Sequence, residues 1–182
     1  MNVVAITSKM SNYDTKILLA ILAASLILVS CIPVAPREDN FSFVYQYIAC
    51  GSVPFYIMDS TSGTLVHTPI GDTTSVTIPF RLTDDDLETI YQKAMSIGFF
   101  DYPSDFVIPD DQAIGHQAPA SSYELSMING ERANIVTWTD DTMTKPSYAE
   151  ADKLRELMDL IYKIIQSRPE IQQLPEPKAG CA

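Results

Sequence analysis

Residues 122–138 read SYELSMINGERANIVTW, and this stretch decides what kind of sheet the chain builds. Tyr123, Leu125 and Met127 share one face of an extended segment, the period-two spacing of a strand with one buried side. Asn129-Gly130 then breaks the run, and that dipeptide is the strongest short signal for a type I′ hairpin turn. The return segment, ERANIVTW, supplies the partner strand. Strands joined so tightly pair antiparallel, because a parallel pair needs a crossover of a dozen or more residues.

Upstream of the hairpin, residues 101–120, DYPSDFVIPDDQAIGHQAPA, show no regular period and read as a long polar loop. Loops of that length inside a compact domain are uncommon and often carry function, which makes Asp101, Asp105, Asp110, Asp111 and His116 the candidate binding loop. Before it, Thr83 opens a helix whose first turn holds Asp84, Asp85 and Asp86, where carboxylates meet the positive end of the helix dipole. Leu87, Ile90, Tyr91, Ala94 and Ile97 fall on one stripe of that helix, and Gly98 takes the C′ place after it.

Four strands precede this helix. FSFVYQYIA, from residue 41, places Phe41, Phe43, Tyr45 and Tyr47 on one face. FYIMD follows, then a turn over residues 60–63, then TLVHT. In the fourth, SVTIPFR, Pro79 lacks an N–H and points to an edge position. Downstream of the hairpin, Ser147 with Glu150 forms a capping box. Leu154, Leu157, Met158, Ile161, Ile164 and Ile165 give a second helix its apolar face, closed by Pro169. The order ββββαββα, without alternating βαβ units, predicts a single α+β domain over residues 41–168: an antiparallel sheet of about six strands with two helices packed on one face. Residues 169–182 form a polar C-terminal tail.

Residues 17–29, ILLAILAASLILV, carry no charge and follow Lys9 and Lys16. A spanning helix needs about 20 apolar residues, so this run fits the apolar core of a secretory leader occupying residues 1–30. Met10 offers a second start, with a leader of more usual length. Residues 32–40, IPVAPREDN, hold two prolines and three charges and read, with Cys31, as a semi-extended tether ahead of a domain that begins near Phe41. Removal of the leader takes away Lys9, Lys16 and Asp14, so the formal charge of −11 becomes −12. An acidic balance opposes the phosphate neutralisation that nucleic-acid binding requires, and it repels anionic lipid headgroups. Nucleic acid is excluded as a partner on that ground.

No GxSxG elbow, P-loop or dinucleotide GxGxxG occurs, so no cofactor is expected. The acidic loop lacks the EF-hand order, so no metal is expected there. His67 and His116 read as an exposed strand histidine and a loop histidine, and Trp138 with the sheet tyrosines reads as cross-strand packing. Cys50 and Cys181 are an even pair that an exported protein can bridge, although nothing in the sequence brings them together. The pair stays open between a disulfide and two free thiols.

Leu28-Val29-Ser30-Cys31, at the end of the apolar run, resembles the lipobox of bacterial lipoproteins. The resemblance implies a diacylglyceryl group on the Cys31 sulfur, cleavage before that residue, and two or three acyl chains, enough to anchor stably where one chain holds only marginally. It also implies export to the bacterial cell envelope, at the outer membrane if the organism has one, since Ile32 follows the cysteine, and otherwise at the outer face of the cytoplasmic membrane. Cys50-Gly51, Pro54 and Tyr56, then Phe99-Phe100 and the Asn129-Gly130 hairpin, resemble in their order a family of uncharacterised exported bacterial domains, over residues 41–166. The chain lacks the second cysteine of that family's Cys-Gly-x-Cys-Pro pattern, so no disulfide carries over. The same order is more distantly similar to the emfourin-like metalloprotease inhibitors, whose glycine-rich aromatic N-terminal segment is missing. Anchor, tether and a single domain without a catalytic set together lead to the expectation of a membrane-anchored, non-enzymatic lipoprotein whose sheet face or 101–120 loop contacts another protein, its expected partner, or the envelope. An inhibitor of secreted metalloproteases is the second expectation, and an exported hydrolase using His67 or His116 the third.

Overall fold

The computed structural model describes residues 35–49 and 53–176. Among them, β1 Ser42–Ile48, β2 Tyr56–Asp59, β3 Thr64–His67, β4 Val76–Pro79, β5 Ala113–Asn129 and β6 Arg132–Thr144 form one sheet in the order β4-β3-β2-β1-β5-β6. Every neighbouring pair is antiparallel. Helices α1 Asp84–Ile97 and α2 Ala149–Gln166 cover one face, which is the α+β arrangement that the element order predicts. Neither of them is long and apolar enough to cross a membrane.

The period-two residues of the strands meet the helical stripes. Phe43 and Tyr45 of β1, Met58 of β2, Leu65 of β3, Leu125 and Met127 of β5 and Val136 and Trp138 of β6 are buried. Against them α1 lays Ile90, Tyr91 and Ala94, and α2 lays Leu154, Leu157, Met158, Ile161 and Ile165. Each large aliphatic side chain so buried contributes about 1.5–3 kcal/mol, which makes α2 the principal cover of the core. Arg168, just past α2, pairs with Asp86 in the first turn of α1, and Lys93 pairs with Glu156, so the two helices run antiparallel. On the other face of the sheet Val44, Ile128 and Ile135 stay exposed.

Local chemistry sets the helix ends. Thr83 Oγ1 accepts from Asp86 N at 3.1 Å while Thr83 N donates to the Asp86 carboxylate at 2.8 Å, a reciprocal cap that gives the aspartate run its structural role. Gly98 ends α1 at φ 73°, a left-handed conformation that glycine adopts without the Cβ penalty of other residues. The box expected from Ser147 and Glu150 does not form. Tyr148 N donates to Lys145 O in a turn at 2.9 Å, which leaves Tyr148 as the N-cap of α2 with no side-chain cap hydrogen bond.

The hairpin is present with a different turn. Asn129 pairs with Arg132, so the two loop residues are Gly130 and Glu131, and Gly130 alone has positive φ, at 63°. A glycine first in the loop is the type II′ layout, and it replaces the expected type I′ turn. The cause lies in Asn129, whose side chain is buried and accepts from Glu38 N at 2.9 Å. The hairpin is also far longer than expected, because residues 113–120 belong to β5 and pair with β6 alone. Register shifts between Ala113 and Gly115 and between His116 and Ser121 explain why no period is visible there.

Both borders of the sheet are interrupted. Thr137 N donates to Ser104 O at 2.8 Å and Phe106 N donates to Thr137 O at 2.9 Å, so residues 104–106 run beside the middle of β6. The opposite border, β4, spans four residues and includes Pro79, as its sequence position suggested.

Both ends of the domain reach beyond the predicted limits. Tyr91 Oη donates to Pro36 O at 3.0 Å, Arg37 Nε donates to Glu88 at 3.1 Å, and Gly130 N donates to Asn40 Oδ1 at 2.7 Å. The body therefore starts at Pro36, five residues before the expected boundary at Phe41, and half of the predicted tether is fastened to it. At the other end Ile171 is buried, and the carbonyl of Pro175 lies 3.0 Å from His67 Nε2. A carbonyl can only accept, so Nε2 carries the proton.

Buried Tyr45 and half-buried Tyr102 and Tyr123 make stability fall at alkaline pH. Burial, followed by the neighbouring Glu150, pushes the Tyr102 phenol up to about 12, and burial followed by Tyr47 does the same to Tyr123. Tyr45 is raised well above its ordinary value by the same desolvation. In the unfolded chain these groups ionise near 10. Above that pH the unfolded state has released protons that the native state retains, so stability present below pH 10 is lost as pH rises toward 12. Absorbance of phenolate and far-ultraviolet circular dichroism, followed together, should show these tyrosines ionising in step with unfolding. Ionisation of all tyrosines near pH 10 with the fold intact would refute the burial argument.

Candidate functional site

A cleft lies where α1 ends and α2 begins. Its volume is about 410 Å³, and its walls are Ile97, Tyr102, Phe106, Val107 and Tyr148, with Asp101, Glu150 and Lys153 at the rim. That size falls in the roughly 300–1,000 Å³ range of small-molecule and peptide side-chain sites. Asn134 positions one wall from behind: its Nδ2 donates to the carbonyls of Phe99 and Tyr102, each at 2.9 Å, and so holds the chain leaving α1 against β6. Tyr102 Oη donates to Glu150 O at 2.9 Å and links that segment to the first turn of α2. Phe106 packs edge-on against Trp138, with ring centroids 5.5 Å apart, and this fixes the floor. Val107, 68% exposed, is left without cover at the mouth. An apolar groove with two carboxylates and one ammonium at its rim can seat an apolar side chain or short segment, with polar groups around it to set orientation.

The acidic residues singled out in the sequence do not gather into one site. Asp101 sits at the cleft rim and pairs with Arg132 at 3.4 Å, while Asp105 belongs to the segment running beside β6. Asp110 and Asp111 lie in the turn before β5, where Lys145 Nζ donates to Asp111 O at 2.6 Å. His116 is on β5 opposite Thr142, so it is a strand residue and not the expected loop histidine. Among the described residues no three metal-ligating side chains converge.

His67 also differs from expectation. It is buried, between Phe55 and Tyr56, and its Nδ1 has no hydrogen-bond partner. With β2 and β1 between β3 and β5, His67 and His116 are not neighbours. Trp138 is core, as its strand position predicts, with Tyr123 and Arg155 also against its ring.

The cleft itself was missed in the sequence, because Val107 on one side and Tyr148 and Lys153 on the other belong to two separate segments that only the fold brings together. The long-loop signal pointed at one of its walls. The leader expected over residues 1–30, Cys31 as the expected lipidation residue, and the cysteines Cys50 and Cys181 lie outside the described residues. Described residues close to both of the last two do share a place: Phe55, five positions after Cys50, and Glu176, five before Cys181, line one hollow of about 320 Å³ beside His67. Compared with protein-family models the chain matches none, and no curated protein matches it in sequence.

Proposed function

We propose that the chain is a lipid-anchored, non-enzymatic binding module of the bacterial cell envelope, held by acyl chains on Cys31 and engaging a protein partner through the cleft around Val107. The observation that supports the anchor is Leu28-Val29-Ser30-Cys31 behind an uncharged run, followed within five positions by the first residue fastened to the folded body. The cleft supports the binding role, since it presents an uncovered apolar mouth on a surface that is otherwise strongly acidic.

Membrane affinity gains about 0.8 kcal/mol for each buried CH₂, so the acyl chains dominate the distribution of the protein. Cys31→Ser is expected to move the chain from the membrane fraction to the soluble or unprocessed pool and to abolish incorporation of a labelled fatty acid. Incorporation that survives the substitution would remove the anchor from this reading. Val107→Asp, which places a charge at the exposed mouth, should leave anchoring intact and reduce recovery of the partner that the wild type captures from mild detergent extracts. Undiminished recovery would move the binding surface elsewhere.

A further inference from the structure

We propose, resting on the anchored reading above, that the end of the domain formed by Pro36–Asn40, the β5–β6 turn and the first turns of α1 is the end that faces the bilayer. The opposite end of the sheet is then the one presented to the envelope.

The argument begins with length. Only Ile32, Pro33, Val34 and Ala35 separate Cys31 from Pro36. At ~3.3–3.6 Å per residue this span reaches at most about 18 Å. Pro36 cannot pay out more chain, because the residues after it are fastened at successive points. Pro36 O is held by Tyr91, Arg37 by Glu88, Glu38 N by Asn129, and Asn40 exchanges hydrogen bonds with Gly130 at 2.7 and 3.3 Å.

The fold then distributes its parts between two ends. β1 starts beside this fastened segment, and the β2–β3 turn shares the same end, since Ser60 N donates to Phe43 O at 3.0 Å. β1 runs away from it for seven residues, about 24 Å at ~3.4 Å per residue. At its far end lie the β3–β4 connection and the hollow beside His67, lined also by Tyr56 and Pro175.

Charge explains why the domain would not lie flat. Glu38, Asp39, Asp84, Asp85, Asp86, Glu88 and Glu131 lie in or beside the fastened segment, the turn and the start of α1. They outnumber Arg37 and Arg132 in those stretches together with Arg168, which pairs with Asp86, and Arg81, which lies against Gly63 of the β2–β3 turn. Arg37 is engaged by Glu88 at 3.1 Å and Arg132 by Asp101 at 3.4 Å. Such an end has no attraction for anionic headgroups, and its repulsion acts over a Debye length of about 10 Å at 0.1 M salt, comparable with the reach of the tether. Covalent attachment draws this end in while electrostatics keeps it standing off.

The test uses the full chain, processed in cells, purified and reconstituted into phosphatidylcholine vesicles that carry acceptor-labelled headgroups. An azide-bearing residue replaces either exposed Glu131, in the β5–β6 turn, or exposed Thr73, in the β3–β4 connection, and is coupled to a donor dye. Given the ~24 Å length of β1, energy transfer from position 131 should exceed that from position 73 by about twofold or more. Inserting about twenty Gly/Ser residues between Ala35 and Pro36 should lower both and bring their ratio close to one, because a flexible coil of that length lets the domain turn. Equal transfer without the insertion, from protein that floats with the vesicles, overturns the orientation and leaves the anchor standing. Protein that does not float with the vesicles overturns the anchor, and the orientation with it.

Discussion

Asp140→Ala is expected to lower the unfolding free energy by about 3 kcal/mol, the low end of the ~3–5 kcal/mol seen when one partner of a buried ion pair is removed. The Asp140 side chain is only 10% exposed and receives both arms of a guanidinium fork, from Arg155 Nε at 2.9 Å and from a terminal nitrogen at 2.7 Å. That fork ties α2 to β6. Arg155 also donates to Thr142 O at 3.0 Å and to Asp152 at 2.7 Å, and its guanidinium lies 5.3 Å from the centre of the Trp138 ring. The Asp140 hydrogen bonds raise the Arg155 pKa, and since a guanidinium is charged at neutral pH even without them, the substitution leaves a cation that has lost its best-buried partner. Replacing both residues by apolar ones of similar volume, Asp140→Leu with Arg155→Met, should recover most of the loss, because neither charge then has to be desolvated. Urea unfolding of the three proteins gives the answer directly. A loss below about 1 kcal/mol for Asp140→Ala, the value of an exposed pair, would mean that the fork does not clamp the helix.

Trp138→Ala should have an effect as large, about 3–5 kcal/mol, the usual range for emptying a buried aromatic site. Trp138 is the chain's single tryptophan and is 3% exposed. Its ring supports Phe106 at 5.5 Å, Tyr123 at 5.9 Å and the Arg155 guanidinium. Removing it takes away the floor that holds Phe106, so the cleft around Val107 should lose its shape along with the stability. Trp138→Phe is a sharper comparison. The indole Nε1 is buried without a partner, a defect of about 1–3 kcal/mol that phenylalanine does not carry. The smaller ring should therefore lose less than half of what alanine loses. Urea unfolding followed by circular dichroism measures both variants, and a phenylalanine variant as unstable as the alanine one would show that area, not the orphaned donor, decides the site.

Much of this fold was legible in advance because its strongest signals are local. Most of the period-two residues of β1 and β5 and of the stripes on α1 and α2 are buried, while Tyr47, Tyr123, Leu87, Ile97 and Ile164 are half-buried against the core, and Pro79 does lie at a border. What escaped was set by contacts distant in sequence. The turn type follows from Asn129 turning its amide toward Glu38, ninety-one positions earlier, and α2 begins late because Tyr148 closes a turn onto Lys145. The first part of β5 hid behind Gly115 and Pro119 and two register shifts, with no alternation of buried and exposed residues to reveal it. The cleft follows the same rule. Asp101 was identified as a candidate, yet its rim partners Glu150 and Lys153 belong to a helix that only tertiary packing brings near.

The short stretch 104–106 beside β6, and the brief proline-bearing β4 at the other border, bear on how the molecule behaves in a crowd. A sheet with a long bare margin recruits further copies edge to edge and seeds fibrils. Here a newcomer meets a β6 margin interrupted at Thr137 by residues 104–106 on one side and a four-residue stub interrupted by an imide on the other, so neither offers a long continuous row of pairing groups to a further copy.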